Sequence, residues 1–292
     1  DLKMARRMTI PALLVDQVRR QPDRTAILRA PREGKPRDYA PVDWRELARD
    51  VARFRALLLK ESVVPGDRVA QISENRYEWI VADLAIAAAG AVHVPIHNSL
   101  AGAQFVEQVA HSGAAVVVMA GQEEVEKFAK CSGSRFDAGG VRFFTYDSWR
   151  RMDRGPLRPR PIGPLIGEID FQLALDEMMS SADSIPDDSL ATIMYTSGTT
   201  GGPKGVMLTH GNIVGNAMAT ADAYGAEPDE LRFCFLPFSH IYARTCDLYT
   251  WLYRGSRLAL ARSRETIIDD CQAVAPTNIN GVPYFYEKVS RP

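Results

Sequence analysis

Cysteine and histidine are both scarce here, at four and five in 292 residues. Cys131, Cys234, Cys246 and Cys271 are scattered and form no C-x-x-C pair, which argues against a disulfide framework and for reduced, mostly buried thiols. A metal site has little to draw on. His93 and His97 are four apart, but Pro95 between them breaks the helix that would align them, so both read as strand or loop histidines. Charge of one sign is lacking as well: 35 basic and 36 acidic side chains leave a net charge of −1. No basic surplus exists to draw the chain onto nucleic acid or anionic lipid. The longest apolar run, "WIVADLAIAAAGAVHVPI", is interrupted by Asp83 and ends in proline, too broken to span a bilayer. No signal peptide opens the chain, and it starts at Asp1 rather than Met, so the expectation is a cytoplasmic protein whose true N-terminus is not included.

Composition is that of a globular protein, 46% hydrophobic and 24% charged, and the length suits one large or two modest domains. "PALLVDQVRRQ" has helical spacing and is followed by the strand "TAIL". Asp43 and Glu46 form the start of a capping box for "WRELARDVARFRALLLK". Pro65-Gly66-Asp67 turns into the strand "RVAQI", a helix is expected over 74–89, and "AVHVPI" is a strand. Ser99 is read as the cap of the next helix and Gly113 as its end, before the apolar strand "AAVVVMA". Short apolar strands alternating with amphipathic helices predict an α/β fold built on parallel sheet covered on both faces. Residues 150–168, "RRMDRGPLRPRPIGPLIGE", break the rhythm with prolines and arginines and read as a solvated connector; a loop contacting anionic surfaces is the second reading. Two subdomains are expected, 1–185 and 186–292. The later part continues with helices over 211–223, 240–253 and 265–274 and the strands "RFCFLP" and "RLALA". The ending "YFYEKVSRP" reads as the start of a further helix, so continuation is expected.

The densest chemistry lies in "MYTSGTTGGPKGVMLTH", residues 194–210. "ATIMYT" and "GVMLTH" are strand-like, leaving Ser197 to Lys204 as a loop. Gly198, Gly201 and Gly202 allow positive φ and close backbone approach, and successive N–H groups in such a loop make a nest for an anion. Ser197, Thr199 and Thr200 add hydroxyl donors, and Lys204 a full positive charge. Those are the parts of a polyphosphate cradle. A Walker A loop would need Gly-Lys-Ser/Thr running into a helix; here Pro203 precedes the lysine, Gly205 follows it, and a strand comes next.

"YTSGTTGGPKGVMLTH" closely resembles the phosphate-loop signature of the adenylate-forming superfamily of AMP-binding enzymes, and "LPFSHIYAR" is similar to its aromatic-histidine motif. "SENRYEWIVADLAIAAAGAVHVPIHNSL" looks like its early helix–strand segment. "INGVPYFYEKV" resembles a segment of the long-chain acyl-CoA synthetases. The resemblance implies the large N-terminal α/β domain of an acetyl-CoA synthetase-like enzyme, truncated, with the C-terminal domain absent. It implies activation of a carboxylate, most simply a fatty acid, by ATP to an acyl-adenylate, then thioester formation with coenzyme A.

By the same resemblance Thr196, Ser197, Gly198, Thr199, Thr200, Gly201, Gly202 and Lys204 hold the ATP phosphates, with Mg²⁺ near Thr200. His240 positions the substrate carboxylate, and Phe238, Tyr242, Gly281, Val282 and Pro283 line the acyl tunnel. Thr209 is expected to cap a helix, with His210 and Asn212 structural, and Arg244 to make a salt bridge on a helix surface. The family's Tyr-Gly-x-Thr-Glu segment, its ribose-binding aspartate and its C-terminal lysine have no match here, so the chain alone is expected not to turn over. An aryl-CoA ligase, a luciferase-like enzyme or a carrier-loading adenylation domain shares the same loop, and a non-catalytic ATP- or acyl-binding module is the reading from another class. With no anchor visible, membrane contact would be peripheral.

Overall fold

A computed structural model of the chain describes residues 8–31, 38–133, 136, 139–148, 157–196, 202–225 and 229–289. It opens with helix α1 (Ile10–Arg20), strand β1 (Thr25–Arg29), strand β2 (Ala40–Asp43) and helix α2 (Trp44–Lys60). Asp43 caps α2 by accepting the Glu46 N–H at 2.7 Å, as the spacing predicts. Then come β3 (Arg68–Ile72), α3 (Tyr77–Ala88), β4 (Val92–Ile96), α4 (Gly102–Ser112), β5 (Val116–Met119), α5 (Gln122–Ser132) and β6 (Arg142–Thr145). The middle adds β7 (Arg160–Pro161), α6 (Ile162–Gly167), α7 (Phe171–Ser181), β8 (Leu190–Thr196), β9 (Lys204–Thr209) and α8 (His210–Tyr224). The last part contains β10 (Leu231–Cys234), α9 (Ile241–Ala243), a π-helical segment (Arg244–Tyr249), α10 (Thr250–Arg254), β11 (Arg257–Leu260), α11 (Ile267–Val274), β12 (Asn278–Ile279) and α12 (Pro283–Val289).

Two sheets result. Seven strands run in the order β7-β6-β5-β3-β4-β8-β9, and five in the order β12-β10-β11-β1-β2. Neighbours are parallel throughout except at two pairs, β8/β9 and β1/β2. The expected parallel α/β architecture is present. The division expected at 185/186 does not separate the sheets: β8 and β9 extend the first, while β1 from near the start of the chain pairs with β11, Ile27 opposite Leu258.

Strands β4 and β5 are buried at every position, which is why they read as continuous apolar runs. Helix α3 is buried on all sides, Asp83 included. One central core takes in α1, α2, α3, α8 and α10, where Trp44 and Trp251 stack at 4.9 Å and the Trp251 indole donates to the Ala26 carbonyl at 2.9 Å.

Several expectations change. Helix α4 begins at Gly102, with Ala101 at the N-cap and its N–H donated to Gln104 Oε1 at 3.1 Å. Ser99 is not the cap; its hydroxyl lies 2.8 Å from His97 Nδ1. The Pro/Arg-rich connector is only partly irregular. Residues 149–156 lie outside the described residues, but Arg160–Pro161 form an edge strand, where proline is tolerated, and α6 follows at once. Only Cys234 of the cysteines is fully buried, and Cys131 is exposed. Strands β2 and β6 and helices α5 and α7 come in addition to the elements read from the sequence. Among the described residues, no helix is long and apolar enough to cross a membrane.

Candidate active site

Strands β8 and β9 form the antiparallel hairpin expected around the hydroxyl- and glycine-rich loop. Thr196, the last residue of β8, pairs with Lys204, the first of β9. Lys204 is exposed at the mouth of the hairpin. Ser197, Gly198, Thr199, Thr200 and Gly201 lie outside the described residues, so the Mg²⁺ contact expected at Thr200 does too. Gly205 has a steric reason of its own: a Cβ there would come within 2.7 Å of Ile193 Cγ2. The hairpin leads into α8, whose cap is reciprocal, Thr209 Oγ1 accepting from Asn212 N–H and Asn212 Oδ1 from Thr209 N–H. His210 is buried, and its Nδ1 accepts the Ile10 N–H at 3.4 Å. The structural roles expected of these three residues hold.

The parallel strands carry their C-terminal ends to a common edge, where ligands of open α/β sheets bind. Asn75 follows β3, His97 follows β4, Pro237 follows β10, and Arg262 and Arg264 follow β11. Together they line a cleft of about 360 Å³. Asn75 shapes the β10 exit with both ends of its amide. Its Nδ2 donates to Leu236 O at 2.7 Å, and its Oδ1 accepts the Phe238 N–H at 2.9 Å. Burial lowers the His97 pKa, helped by the nearby charges of Arg264 and His240. His97, which follows β4 of one sheet, and His240, which follows β10 of the other, therefore lie near each other. Asn75 and His97 had no local sequence pattern to mark them; only the crossing of two sheets puts them here.

The expected acyl-tunnel residues divide. His240 is exposed at the N-cap of the helix that begins with α9, and its Nδ1 accepts the Tyr242 N–H at 3.3 Å. Tyr242 is 42% exposed and available to a ligand. Phe238 is fully buried, its ring 5.2 Å from that of Trp79, so it belongs to the core rather than to an open wall. Gly281 lies where a Cβ would come within 3.0 Å of the Tyr286 ring. Val282 just ahead of α12 and Pro283 at its first position are exposed. The 281–283 turn is drawn to the His240 region from two sides. Phe285 packs on Phe235 at 4.5 Å, and Asn280 Nδ2 donates to Asp247 Oδ1 at 2.6 Å.

Arg244 overturns its expectation. It is 1% exposed and points into the core, not onto a helix surface. Its Nη2 donates to Asp83 Oδ1, and its Nη1 donates to Thr192 Oγ1 on β8 at 2.7 Å. Tyr249 Oη donates to Asp83 Oδ2 at 2.9 Å, and His93 Nδ1 lies 2.6 Å from Asp83 Oδ1. Burial alone would raise the Asp83 pKa, but Arg244, His93 and Tyr249 outweigh it and hold the carboxyl down at about 2. Burial, then Arg244, push His93 down to about 4 against the pull of Asp83. Arg244 Nη2 lies 2.8 Å from the same His93 nitrogen, so the neutral ring either donates from Nδ1 to the carboxylate or accepts there from the guanidinium, according to its tautomer.

Arg244 and Tyr249 are five residues apart, about 140° around an α-helix, and could not both reach one carboxylate from such a helix. The π-helical segment brings residues five apart to one turn and so to one face. Asp247, on the same segment, is raised to about 6 by burial, against the opposing effects of Asn280, Cys234 and Arg232.

The described part of the hairpin fits a polyphosphate: an exposed lysine and a threonine face the mouth of a loop rich in hydroxyls and glycine. Among the described residues, no group of three or more His, Cys, Asp or Glu side chains could hold a metal ion.

Known proteins share both the sequence and the shape. Fatty acyl-CoA synthetase A of Dictyostelium discoideum is 26% identical over 260 residues, covering 88% of this chain and 38% of that protein. The long-chain-fatty-acid–CoA ligase FadD15 of Mycobacterium bovis is 31% identical over 257 residues, covering 86% of this chain and 40% of that protein. The chain thus spans about two fifths of the length of these relatives. In shape it is similar to the inhibitor-bound N-terminal domain of FACL13 from Mycobacterium tuberculosis. The TM-score is 0.73 at 21% identity, over 98% of this chain and 65% of that one. It is also similar to the o-succinylbenzoate CoA synthetase of Bacillus subtilis solved with an acyl-adenylate, with a TM-score of 0.67 at 23% identity, over 96% of this chain and 63% of that one. The sequence model of the AMP-binding enzymes matches residues 14–291, and the chain belongs to that family.

Proposed function

We propose that this chain carries the triphosphate loop and part of the acid site of a ligase that activates a fatty acid with ATP and passes the acyl group to coenzyme A. The observation that carries the proposal is the hairpin mouth, where Thr196 and exposed Lys204 face each other across the loop, tied through β8 and Arg244 to the helix that starts at His240. Similarity to long-chain acyl-CoA synthetases supports the fatty acid as substrate.

In this reading Thr196 to Lys204 hold the β- and γ-phosphates. The physical need is charge: a carboxylate attacking the α-phosphorus approaches an anion, and negative charge builds on the departing pyrophosphate. Lys204 and the loop donors stabilise that charge, and such donors act most strongly where water is excluded. Mg²⁺ bound with the phosphates would supply further neutralisation, with Thr200 as its protein contact. His240 orients the acid, with its Nδ1 occupied by the Tyr242 N–H and its other ring nitrogen left for the ligand. Tyr242 and the 281–283 turn supply the apolar approach, while Phe238 supports it from the core. We place the enzyme in the cytoplasm, with peripheral contact to any membrane that supplies its acid.

The test is carboxylate-dependent ATP–pyrophosphate exchange by the whole protein that carries this chain, across medium- and long-chain fatty acids, cinnamic-type acids and amino acids. Exchange driven by long-chain acids is expected. Exchange with aryl or amino acids alone moves the substrate class, and none with any acid favours a non-catalytic binding module. The 292-residue chain on its own is expected not to form acyl-CoA, and measurable formation would overturn that expectation.

A further inference from the structure

Four elements that end at the cleft or the phosphate loop meet in one buried cluster. Helix α3 contributes Asp83, and β4, which leads to His97, contributes His93. Strand β8, which leads to Thr196, contributes Thr192, and the helix from His240 contributes Arg244 and Tyr249. The five side chains are all buried, from 0 to 1% exposed. Thr192 Oγ1 accepts from Arg244 and donates to the His93 carbonyl at 2.7 Å, closing the link between β4 and β8. Arg244 also stacks on the Trp79 and Tyr249 rings, at 5.6 and 5.5 Å from their centroids. A planar guanidinium can hold a carboxylate on one nitrogen and a hydroxyl on the other in fixed directions; an ammonium cannot fix both.

Resting on the adenylation reading above, we infer that Arg244 is a positioning residue: through Thr192 and Asp83 it sets the placement of the His240 end of the site relative to the phosphate-loop strand. Arg244 touches neither substrate. Its anchor on the helix lies one turn after His240, and its anchor on β8 lies four residues before Thr196. The attacking carboxylate and the triphosphate are held by these two elements, so their alignment depends on the link. Misplacement by about 1 Å can cost on the order of 10²-fold in rate without loss of binding.

Two conservative variants test this in the whole protein. Thr192→Val keeps the shape of the side chain and removes the hydroxyl that joins Arg244 to β8. Arg244→Lys keeps the charge opposite Asp83 and removes the fork. Each is assayed by ATP–pyrophosphate exchange, with active sites counted by the single-turnover burst and melting followed in parallel. The expected result is kcat per active site lowered about 10- to 100-fold in both variants, with KM for ATP and for the acid within about threefold of wild type. A group that served stability alone would lower the melting temperature and the number of active sites but leave turnover per site unchanged. Unchanged kcat per site in both variants overturns the inference, whatever the melting temperatures, and so does a rise in KM with kcat intact. Absence of exchange in the wild type overturns the adenylation reading itself and is recognised before any variant is compared.

Discussion

Arg244 and Asp83 form a fully buried ion pair between the helix that starts at His240 and helix α3, 161 residues earlier in the chain. Taking both charges out of water is costly, and Tyr249 and His93 on Asp83 and Thr192 on Arg244 offset part of that cost, while Arg244 Nε has no hydrogen-bond partner among the described residues.

Removing one partner leaves the other charge buried and unpaired. Asp83→Asn should therefore destabilise the chain by about 3–5 kcal/mol. The double replacement Asp83→Leu with Arg244→Met should recover a large part of that loss, because apolar groups of similar size need no partner. Urea unfolding of the three proteins measures this, and a double variant no more stable than Asp83→Asn would contradict it.

Stability should depend on pH in a defined window. His93 and His210 are both pushed by burial from 6.5 to about 4, so between those values the unfolded chain binds more protons than the folded one. Their contribution is complete above 6.5 and is lost as pH falls towards 4. Asp247 acts in the opposite sense: its pKa is raised from 3.8 to about 6, so its contribution is lost as pH rises through that range. His97 is lowered as well, and the three histidines make the urea midpoint rise from pH 4.5 to 6.5, against a fall from Asp247 and from Glu46, Glu74 and Glu124, whose pKa values burial also raises. Asp247→Asn should steepen the rise, and His210→Asn should flatten it.

Lys204 at the hairpin mouth predicts a rate effect rather than a folding effect, since the side chain is exposed. In the whole protein, Lys204→Ala should lower exchange on the order of 10²- to 10³-fold in kcat with little change in melting temperature. An unaffected rate would remove the lysine from the phosphate site.

Gly205 is held by packing. A methyl group there meets Ile193 Cγ2 at 2.7 Å, so Gly205→Ala should cost about 1–3 kcal/mol as overpacking. Adding Ile193→Ala should relieve part of this. Equal stability of Gly205→Ala and wild type by thermal melting would show that the hairpin adjusts freely.

Asn75 offers a specific test of the cleft. Asn75→Asp keeps the acceptor for Phe238 N–H but places a carboxylate oxygen against the Leu236 carbonyl, in place of a 2.7 Å hydrogen bond. The β10 exit should shift, and KM for the acid should rise in the whole protein by about tenfold, the effect of losing roughly one good hydrogen bond. An unchanged KM would separate this clamp from acid binding.

Much was readable in the sequence because its causes are local. The caps of α2 and α8, the buried strands β4 and β5 and the hairpin around the glycine- and hydroxyl-rich loop follow from Asp43, Thr209, runs of Val and Ile, and the spacing of Gly and Pro. The expectation of a polyphosphate loop rests on equally local features: its hydroxyls, glycines and lysine are neighbours in the chain. Arg244 was misread because position in a helix says nothing about which face is covered, and the π-helical segment turns that face towards a carboxylate far away in sequence. Asn75 and His97 were missed for a related reason, since each becomes part of a cleft only where strands from two sheets end together. By itself the sequence determined most of the helices and strands and which loop has the donors for a polyphosphate, since those depend on residues a few positions apart. The tertiary structure alone decided that β1 joins the sheet of β10 and β11, and that one guanidinium ties the His240 helix to β8. Both depend on long-range burial, which no local pattern encodes.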